Sequence, residues 1–313
     1  MGLRFKSEFR GISKDLYKLE IHDSLFSGTS TDFQLRRNGF TLQYSGGLNT
    51  WDLIKASSVN FTINVTNATL KGLITDLAAS NEDRFTVKIF RDSTHSGSQN
   101  PPFTPDGSQY SLYWLGYIEK RLISIDDSFY PFDLDLVALD GIERLKTIDY
   151  KSSATSPYED LVTINTHISR ILTKIDVGSH FANSDPMFAT RINWYETNSN
   201  HSASNGVFAN TKLHSNVFGA FSNNEAHFKS HYDVLKIICT LFQCRFMLVK
   251  GKFYFTQFLI LEDSSTQTYN GYNKDGSVDS NFTVTSNTIF GETSFSSISA
   301  VSYTHLRAHE TLI

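Results

Sequence analysis

The feature that most constrains the fold is an alternation of apolar and polar residues along several segments of the first half of the chain. Side chains two residues apart in a strand lie on the same face of a sheet, so this alternation indicates strands with one buried face. The alternating apolar sets are Tyr17, Leu19 and Ile21; Phe40, Leu42 and Tyr44; Val59, Phe61, Ile63 and Val65; Phe85, Val87 and Ile89; and Phe132, Leu134, Leu136 and Ala138. Such strands are typical of antiparallel sheets. The pattern predicts an antiparallel β-barrel or sandwich over residues 1–150.

Helical periodicity begins after a small-residue linker at residues 152–156, which places a domain boundary near residue 151. Ser156 and Pro157 are typical of a helix start. The apolar face that follows consists of Leu161, Ile164, Ile168, Ile171, Leu172 and Ile175. Ser230 and Asp233 have capping-box spacing ahead of a second apolar stripe, and Lys250 and Gly251 form the turn of a hairpin.

These patterns together predict a mainly β, α+β protein with an uneven division into domains. Residues 1–150 form the β domain, and residues 151–262 form a smaller α/β domain with a helix followed by a hairpin. Residues 263–300 are polar and rich in turns, with one strand-like run at residues 282–284. We expect them to begin a further β region that the chain leaves incomplete.

Composition excludes several functional classes. The net charge is -4, from 28 Lys and Arg against 32 Asp and Glu, so general nucleic-acid binding is not expected. No apolar run approaches the roughly 20 residues that cross a bilayer, so membrane insertion is not expected. The 2 cysteines do not form a disulfide scaffold. The 40% of hydrophobic residues are sufficient for a packed core.

No catalytic motif stands out, so we predict neither an enzyme nor a cofactor. The chain has no Gly-x-Ser-x-Gly elbow and no phosphate-binding loop. Asp133 and Asp135 share one face of a strand, as a carboxylate pair for acid–base catalysis would. The alternation around them instead favours the solvated face of a sheet.

Two possible metal sites are also disfavoured by their spacing. His227, His231, Cys239 and Cys244 are competent zinc ligands, but the helix cap at Ser230 separates the first histidine from the helix. Cys239 also falls on the apolar stripe of that helix, where a free cysteine packs as a small hydrophobe.

A calcium loop is suggested by the alternating residues Asn273, Asp275, Ser277 and Asp279. Position six of the loop is Val278 instead of glycine, and the glutamate of position twelve is missing. We therefore expect a solvated turn there, and no metal.

Residues 301–311 resemble the translation of a transposon-type sequencing adapter. The run is Val-Ser-Tyr-Thr-His-Leu-Arg-Ala-His-Glu-Thr. We therefore treat residues 301–313 as an artefact, expect the natural sequence to continue differently after about Ala300, and base no functional argument on that stretch.

Three ordered motifs resemble those of tail-tip and baseplate hub proteins of tailed bacteriophages. The first is Trp114-Leu115-Gly116, and the second is Ala138-Leu139-Asp140-Gly141-Ile142, followed by Leu145-Lys146. The third is the helix from Tyr232 and the hairpin through Gly251 and Phe253. The resemblance covers residues 3–260. The long insertion at residues 92–109 and the Asn-rich loop at residues 197–210 depart from the family pattern.

The resemblance implies a structural virion protein without chemistry of its own. Such a protein is assembled in the host cytoplasm, forms a ring of identical copies, and joins the tail tube to spike, fibre or tape-measure proteins. We expect a trimer or a hexamer. The alternatives are a β-rich cell-wall or polysaccharide hydrolase and a carbohydrate-binding module with exposed aromatic side chains.

The expected contact element is the loop at residues 92–109. It combines the rigid Pro101 and Pro102 with the aromatic side chains of Phe103 and Tyr110. Aromatic anchors on a stiff backbone are common at protein interfaces. These four residues are the candidate interface for a neighbouring subunit or another tail protein.

Overall fold

The computed structural model describes most of the chain. The described residues are 2–11, 15–45, 52–81, 84–92, 110–125, 129–153, 156–175, 187–193, 205–222, 225–261, 266–285 and 298–301. The chain divides into two compact units. The first contains Met1–Ser45, Ser57–Asp140 and Phe295–Ile313, and the second contains Gly46–Ala56 and Gly141–Ser294.

The first unit is built on one ten-stranded sheet. Its strands are β1 (Gly2–Gly11), β2 (Leu16–Asp23), β3 (Thr31–Asp32), β4 (Gln34–Tyr44), β6 (Ser57–Val65), β7 (Phe85–Asp92), β8 (Tyr110–Ile118), β9 (Ser124–Ile125), β10 (Phe132–Leu139) and β20 (Ile298–Val301). The second unit contains β5 (Ile54–Lys55), which lies between β4 and β6 in the chain.

The predicted fold class, mainly β with α+β character, is confirmed. Antiparallel neighbours follow in the order β1, β2, β7, β8, β10, β6 and β4. The pairings of β20 with β4 and β1 make this order of strands cyclic. The short β20 lies between β4 and β1, where it pairs with residues 41–42 on one side and residues 10–11 on the other.

The alternating residues form the core of this sheet, as the sequence predicts. In β6 every second residue from Ser57 to Val65 is buried, and the residues between them are half-buried. Phe132, Leu134, Leu136 and Ala138 of β10 are buried in the same way. Burial of one face per strand is the physical basis of the pattern.

One helix of the first unit was not predicted from the sequence. Helix α1 (Ala68–Ala79) begins at Asn67, whose side-chain oxygen accepts a hydrogen bond from the backbone N–H of Leu70. Its buried residues are Leu70, Leu73 and Leu77. The N-cap asparagine and the leucine spacing are a helix signal, although Gly72 and several β-branched residues weaken it.

The second unit contains a six-stranded sheet, two small two-stranded sheets and helices. Its remaining strands are β11 (Leu161–Thr163), β12 (Phe188–Arg191), β13 (Lys212–His214), β14 (Gly219–Ser222), β15 (Glu225–Phe228), β16 (Cys244–Val249), β17 (Lys252–Gln257), β18 (Thr266–Tyr272) and β19 (Phe282–Thr285). Its helices are α2 (Ile164–Ile175), α3 (Gly206–Asn210), α4 (His231–Leu241) and α5 (Phe258–Leu261). The large sheet has the order β19, β18, β12, β17, β16 and β5.

The helix–hairpin prediction is confirmed. Ser230 and Asp233 form a reciprocal capping box at the start of α4. Strands β16 and β17 pair in register from Cys244 and Gln257 to Val249 and Lys252. The turn residues Lys250 and Gly251 have φ angles of 46° and 75°, which suits a tight hairpin turn.

The predicted start of α2 is wrong. The helix begins at Ile164, not near Ser156, and Leu161 lies in β11 with 59% of its surface exposed. Residues 161–163 pair antiparallel with residues 212–214. A partner strand about fifty residues away in the chain therefore overrides the local helical pattern.

The two units differ in extent from the domain ranges predicted from the sequence. Residues 141–150 belong to the second unit, because Ile142 and Leu145 are buried in a short 3₁₀ helix that packs on α2 and α4. Residues 266–285 also belong to it, since β18 pairs with β12 in the large sheet.

Candidate functional site

The predicted interface loop is described only at its ends. Pro101, Pro102 and Phe103 lie outside the described residues. Tyr110 is the first residue of β8 and pairs with Asp92, the last residue of β7. The ammonium nitrogen of Lys18 lies 4.9 Å from the centre of the Tyr110 ring.

The Tyr110 side chain is half-buried at the start of β8. Its hydroxyl is buried and has no hydrogen-bond partner within the described part of the chain. Burial, together with the carboxylates of Glu8 and Asp92, raises the pKa of Tyr110. The interface role of this residue stays a prediction.

The motif residues Trp114 and Asp140 meet at one buried serine. The Ser57 hydroxyl donates to the Asp140 carboxylate at 2.8 Å and accepts from the Trp114 indole N–H at 2.9 Å. The backbone N–H of Ser57 donates to the same carboxylate, and the N–H of Asp140 donates back to the Ser57 carbonyl. All three side chains are buried. We call Ser57, Trp114 and Asp140 the serine node.

Glycine is required at the two motif positions, Gly116 and Gly141, for different reasons. A Cβ atom at Gly116 would collide with the Trp114 ring and the carbonyl oxygen of Leu139, so only glycine fits there. Gly141 has a φ angle of 83°, a left-handed conformation that glycine adopts without strain. The motifs behind the family resemblance therefore shape the fold around the serine node.

The carboxylates of β10 have structural partners on the polar face of the sheet. Asp133 forms an ion pair with Arg36 at 2.6 Å, and Asp135 accepts a hydrogen bond from the Thr62 hydroxyl at 2.6 Å. The expected solvated face is confirmed by the exposed or half-buried positions of these residues.

Of the four possible zinc ligands, the side chains of His231, Cys239 and Cys244 are described. Cys239 is buried on the apolar face of α4, as predicted, and burial raises the pKa of its thiol. His231 donates through Nδ1 to the carbonyl oxygen of Ile148 at 3.0 Å. His227 lies in β15, and its side chain is not among those described. Across the described ranges, no group of three or more His, Cys, Asp or Glu is placed to hold a metal ion.

The calcium-like segment is a turn closed by its own side chains. The Asp275 carboxylate accepts hydrogen bonds from the N–H and the hydroxyl of Ser277, at 2.8 and 2.5 Å. These bonds lower the pKa of Asp275. Gly276 has a φ angle of 83° within the turn. The predicted turn is confirmed.

The second unit also contains a polar and aromatic cluster that was not predicted from the sequence. Its centre is the buried Tyr150, which packs on Tyr158, His167, Phe218 and His231 at ring-centre distances of 4.9, 5.9, 5.4 and 5.1 Å. The members come from separate segments of the chain, so no local motif could reveal them. We call these five residues the Tyr150 cluster.

Hydrogen bonds fix the Tyr150 cluster to the neighbouring backbone. His167 Nε2 donates to the carbonyl oxygen of Leu213 at 3.0 Å, and the Tyr150 hydroxyl donates to His167 Nδ1 at 2.5 Å. Burial lowers the pKa of His167 and raises the pKa of Tyr150 to about 12. The neutral imidazole and the un-ionised phenol therefore hold this arrangement together.

An ion pair borders the Tyr150 cluster. Arg170 binds both carboxylate oxygens of Asp160, at 3.0 and 2.5 Å, and the Ser215 hydroxyl donates to Asp160 at 2.6 Å. The hydrogen bond from Arg170 lowers the pKa of Asp160. The Ser215 hydroxyl and its backbone N–H both donate to Asp160, so these bonds join the start of the 3₁₀ helix at residue 215 to the segment before β11.

A small pocket of about 90 Å³ opens beside the Tyr150 cluster. Its lining consists of Tyr150, Pro157, Tyr158, Ser215, Asn216, Gly219 and Phe228. This volume is well below the roughly 300–1,000 Å³ of typical small-molecule sites.

The fold and these clusters define a mainly β protein whose distinctive residues hold segments together. No protein-family model matches the chain, and no curated protein matches it. Among the described helices, none combines the length and apolar character needed to cross a membrane.

Proposed function

We propose that the chain is a structural component of a bacteriophage tail, a baseplate hub or tail-tip protein. In this role it joins the tail tube to spike, fibre or tape-measure proteins and is located in the virion. The observation that carries the proposal is the serine node. The motif residues Trp114 and Asp140, on which the family resemblance rests, both bind the Ser57 hydroxyl in the core.

The environment of the motif residues is what a structural protein requires. Trp114 and Asp140 are 0% and 2% exposed, so substrate cannot reach them in the folded chain. The third motif, the capped helix α4 and the hairpin β16–β17, is likewise part of a packed core. The resemblance thus concerns residues that shape the fold, which supports a shared architecture more than a shared chemistry.

Ring formation is the direct test of the proposal. Purified protein is examined by native mass spectrometry and analytical ultracentrifugation over a range of concentrations. We expect a closed homo-oligomer, a trimer or a hexamer, because a hub protomer must bury surface against its own copies. A protein that stays monomeric, including in the presence of purified tail tubes, would contradict the proposal.

The two alternatives predict different results with the same preparation. A hydrolase would release fragments from peptidoglycan or polysaccharide, and that turnover would disappear in Asp133→Asn or Asp135→Asn. A carbohydrate-binding module would give saturable binding on a glycan array. We expect neither signal. Stoichiometric zinc that is lost on Cys239→Ser would also contradict the expected absence of a metal.

A further inference from the structure

Two buried histidines of the Tyr150 cluster connect the helices of the second unit to neighbouring segments. His167 in α2 reaches the carbonyl oxygen of Leu213, and His231 at the start of α4 reaches that of Ile148. Both imidazoles are 0% exposed and pack against Tyr150. The two histidines therefore fasten two separate segments to two helices around one aromatic ring.

Protonation of either imidazole would place a charge in a buried site. His167 uses Nε2 as a donor and Nδ1 as an acceptor for the Tyr150 hydroxyl, so a proton on Nδ1 would reverse that hydrogen bond and leave the charge inside the cluster. His231 uses Nδ1 as a donor, and its Nε2 is buried without a partner within the described part of the chain. A proton on that nitrogen would be a buried charged donor without an acceptor.

The charged groups around the Tyr150 cluster act on the two histidines with both signs. They are Arg170 and Lys174 of α2, Asp149, Lys151, Glu159 and Asp160 of the segment before β11, Asp233 and Lys236 of α4, Glu143, Arg144 and Lys146 of the 3₁₀ helix, and Lys212 and His214 of β13. Asp160 favours a proton on His167 and Arg170 opposes it, while Asp149 favours a proton on His231 and Lys174 opposes it. Both carboxylates are already paired, Asp160 with Arg170 and Asp149 with Lys151, and burial is the largest effect on the pKa of each histidine.

We infer that the Tyr150 cluster is an acid-sensitive latch, in which protonation of His231 and His167 breaks the attachment of residues 148–153 to α4 and of residues 211–214 to α2. Release would widen the small pocket beside Tyr150 and expose its aromatic lining. The latch is a property of the fold and does not depend on the proposed tail function.

The direction of the pH dependence follows from where protons bind. Burial lowers the pKa of both histidines in the closed form, whereas an opened segment returns them to an ordinary value of about 6.5. The latch is therefore fully closed above about pH 6.5 and loses stability as the pH falls from there towards the lowered values. Within that window the opening constant rises about tenfold per pH unit for each histidine.

Hydrogen exchange detected by mass spectrometry tests the latch on the whole chain. Exchange is measured between about pH 7.5 and about pH 5 and corrected for the intrinsic pH dependence of amide exchange. We expect peptides covering residues 148–153 and 211–214 to lose protection below about pH 6.5. Peptides from the hairpin β16–β17 should stay protected over the same range, because they contain no histidine.

Variants that keep the hydrogen bonds but cannot titrate make the test specific. In His167→Gln the amide can still accept from Tyr150 and donate to Leu213, and in His231→Asn the amide can donate to Ile148. The double variant should abolish the acid-dependent loss of protection. The control is His22→Gln, since His22 lies in β2 of the first unit and its removal should leave the acid response of the second unit unchanged.

Three outcomes would overturn the latch. They are no selective loss of protection in wild-type protein, the same loss in the double variant, or its disappearance in His22→Gln. If the double variant does not fold, the latch is tested in the wild-type protein instead, by an NMR titration of the assigned imidazole resonances of His167 and His231. A midpoint at or above about 6.5 for either His167 or His231 contradicts the inference.

Discussion

Ser57 shows how strongly one small side chain can be constrained. Its hydroxyl is a donor to Asp140 and an acceptor for Trp114, so both hydrogen-bonding capacities are used inside the core. The neighbouring Ser58 lies on the other face of β6 and is half-buried. The two serines are adjacent in sequence, yet the alternation of the strand places them in different environments.

Replacing Ser57 with alanine should destabilise the chain. The change leaves the buried indole N–H of Trp114 without its acceptor and removes one hydrogen bond from Asp140. We expect the free energy of unfolding to fall by about 1–3 kcal/mol. Chemical denaturation followed by Trp fluorescence measures the change. Ser58→Ala is the matched control and should stay within about 0.5 kcal/mol of wild type.

Gly116→Ala tests the close approach of Trp114. The added methyl group would meet the indole ring and the Leu139 carbonyl, and backbone cannot move aside as a flexible side chain can. We expect a loss of about 1–3 kcal/mol, as for other overpacked cores. Gly72→Ala is the control, because nothing lies within 4 Å of the position that its added methyl group would take, and alanine favours a helix. Equal effects of the two substitutions would refute this explanation of Gly116.

At the scale of elements, capping decides where α4 begins. The Ser230 hydroxyl accepts from the backbone N–H of Asp233, and the Asp233 carboxylate accepts from the Ser230 N–H and hydroxyl. Two backbone hydrogen bonds join the segment around Tyr150 to the start of α4. The N–H of Tyr150 donates to the carbonyl oxygen of Lys229, and the N–H of His231 donates to the carbonyl oxygen of Ile148. The cap therefore also positions the Tyr150 cluster.

Ser230→Ala should weaken α4 by removing this cap. We expect a loss of about 1 kcal/mol, the usual cost of replacing an N-cap serine with alanine. Thermal and denaturant unfolding measure the change. Ser230→Thr should restore most of the stability, because threonine keeps a hydroxyl that can accept from the Asp233 N–H and donate to the Asp233 carboxylate. If threonine gave no recovery, Ser230 would act through another contact.

At the scale of the whole molecule, the proposed ring would be assembled through surfaces that the core does not specify. The loop at residues 93–109 connects two strands whose ends are neighbours, since Asp92 and Tyr110 are paired residues of β7 and β8. A short linker can therefore join the two strands without disturbing the sheet. This geometry permits removal of the loop without loss of the fold.

Deleting residues 96–108 and closing the gap with a short glycine linker should leave the fold intact but impair ring or tail assembly. Closing the shorter loop changes the chain entropy only slightly, by a fraction of a kcal/mol for each halving of loop length. Circular dichroism and unfolding curves check the fold, and native mass spectrometry checks assembly. Complete rings or infectious tails formed by the deleted protein would show that the loop is not an assembly element.

Most local elements of this protein could be predicted from residues a few positions apart. Period-two alternation identified the main strands, the Ser230–Asp233 spacing identified the start of α4, and Lys250 and Gly251 identified the hairpin turn. Such short spacings reflect the repeat of a strand or a helix, which an amino-acid sequence displays directly. Of the predicted interface, only Tyr110 lies within the described residues, as part of a strand.

Which distant residues meet became visible only in the folded chain. Leu161 joined a strand because residues 212–214 pair with it, although its helical spacing is good. Ser57 lies 83 residues from Asp140 and 57 from Trp114, and the Tyr150 cluster draws on segments that no common pattern marks. Hydrogen bonding and burial act through space, so a pairing between separate segments is settled by packing and not by local periodicity.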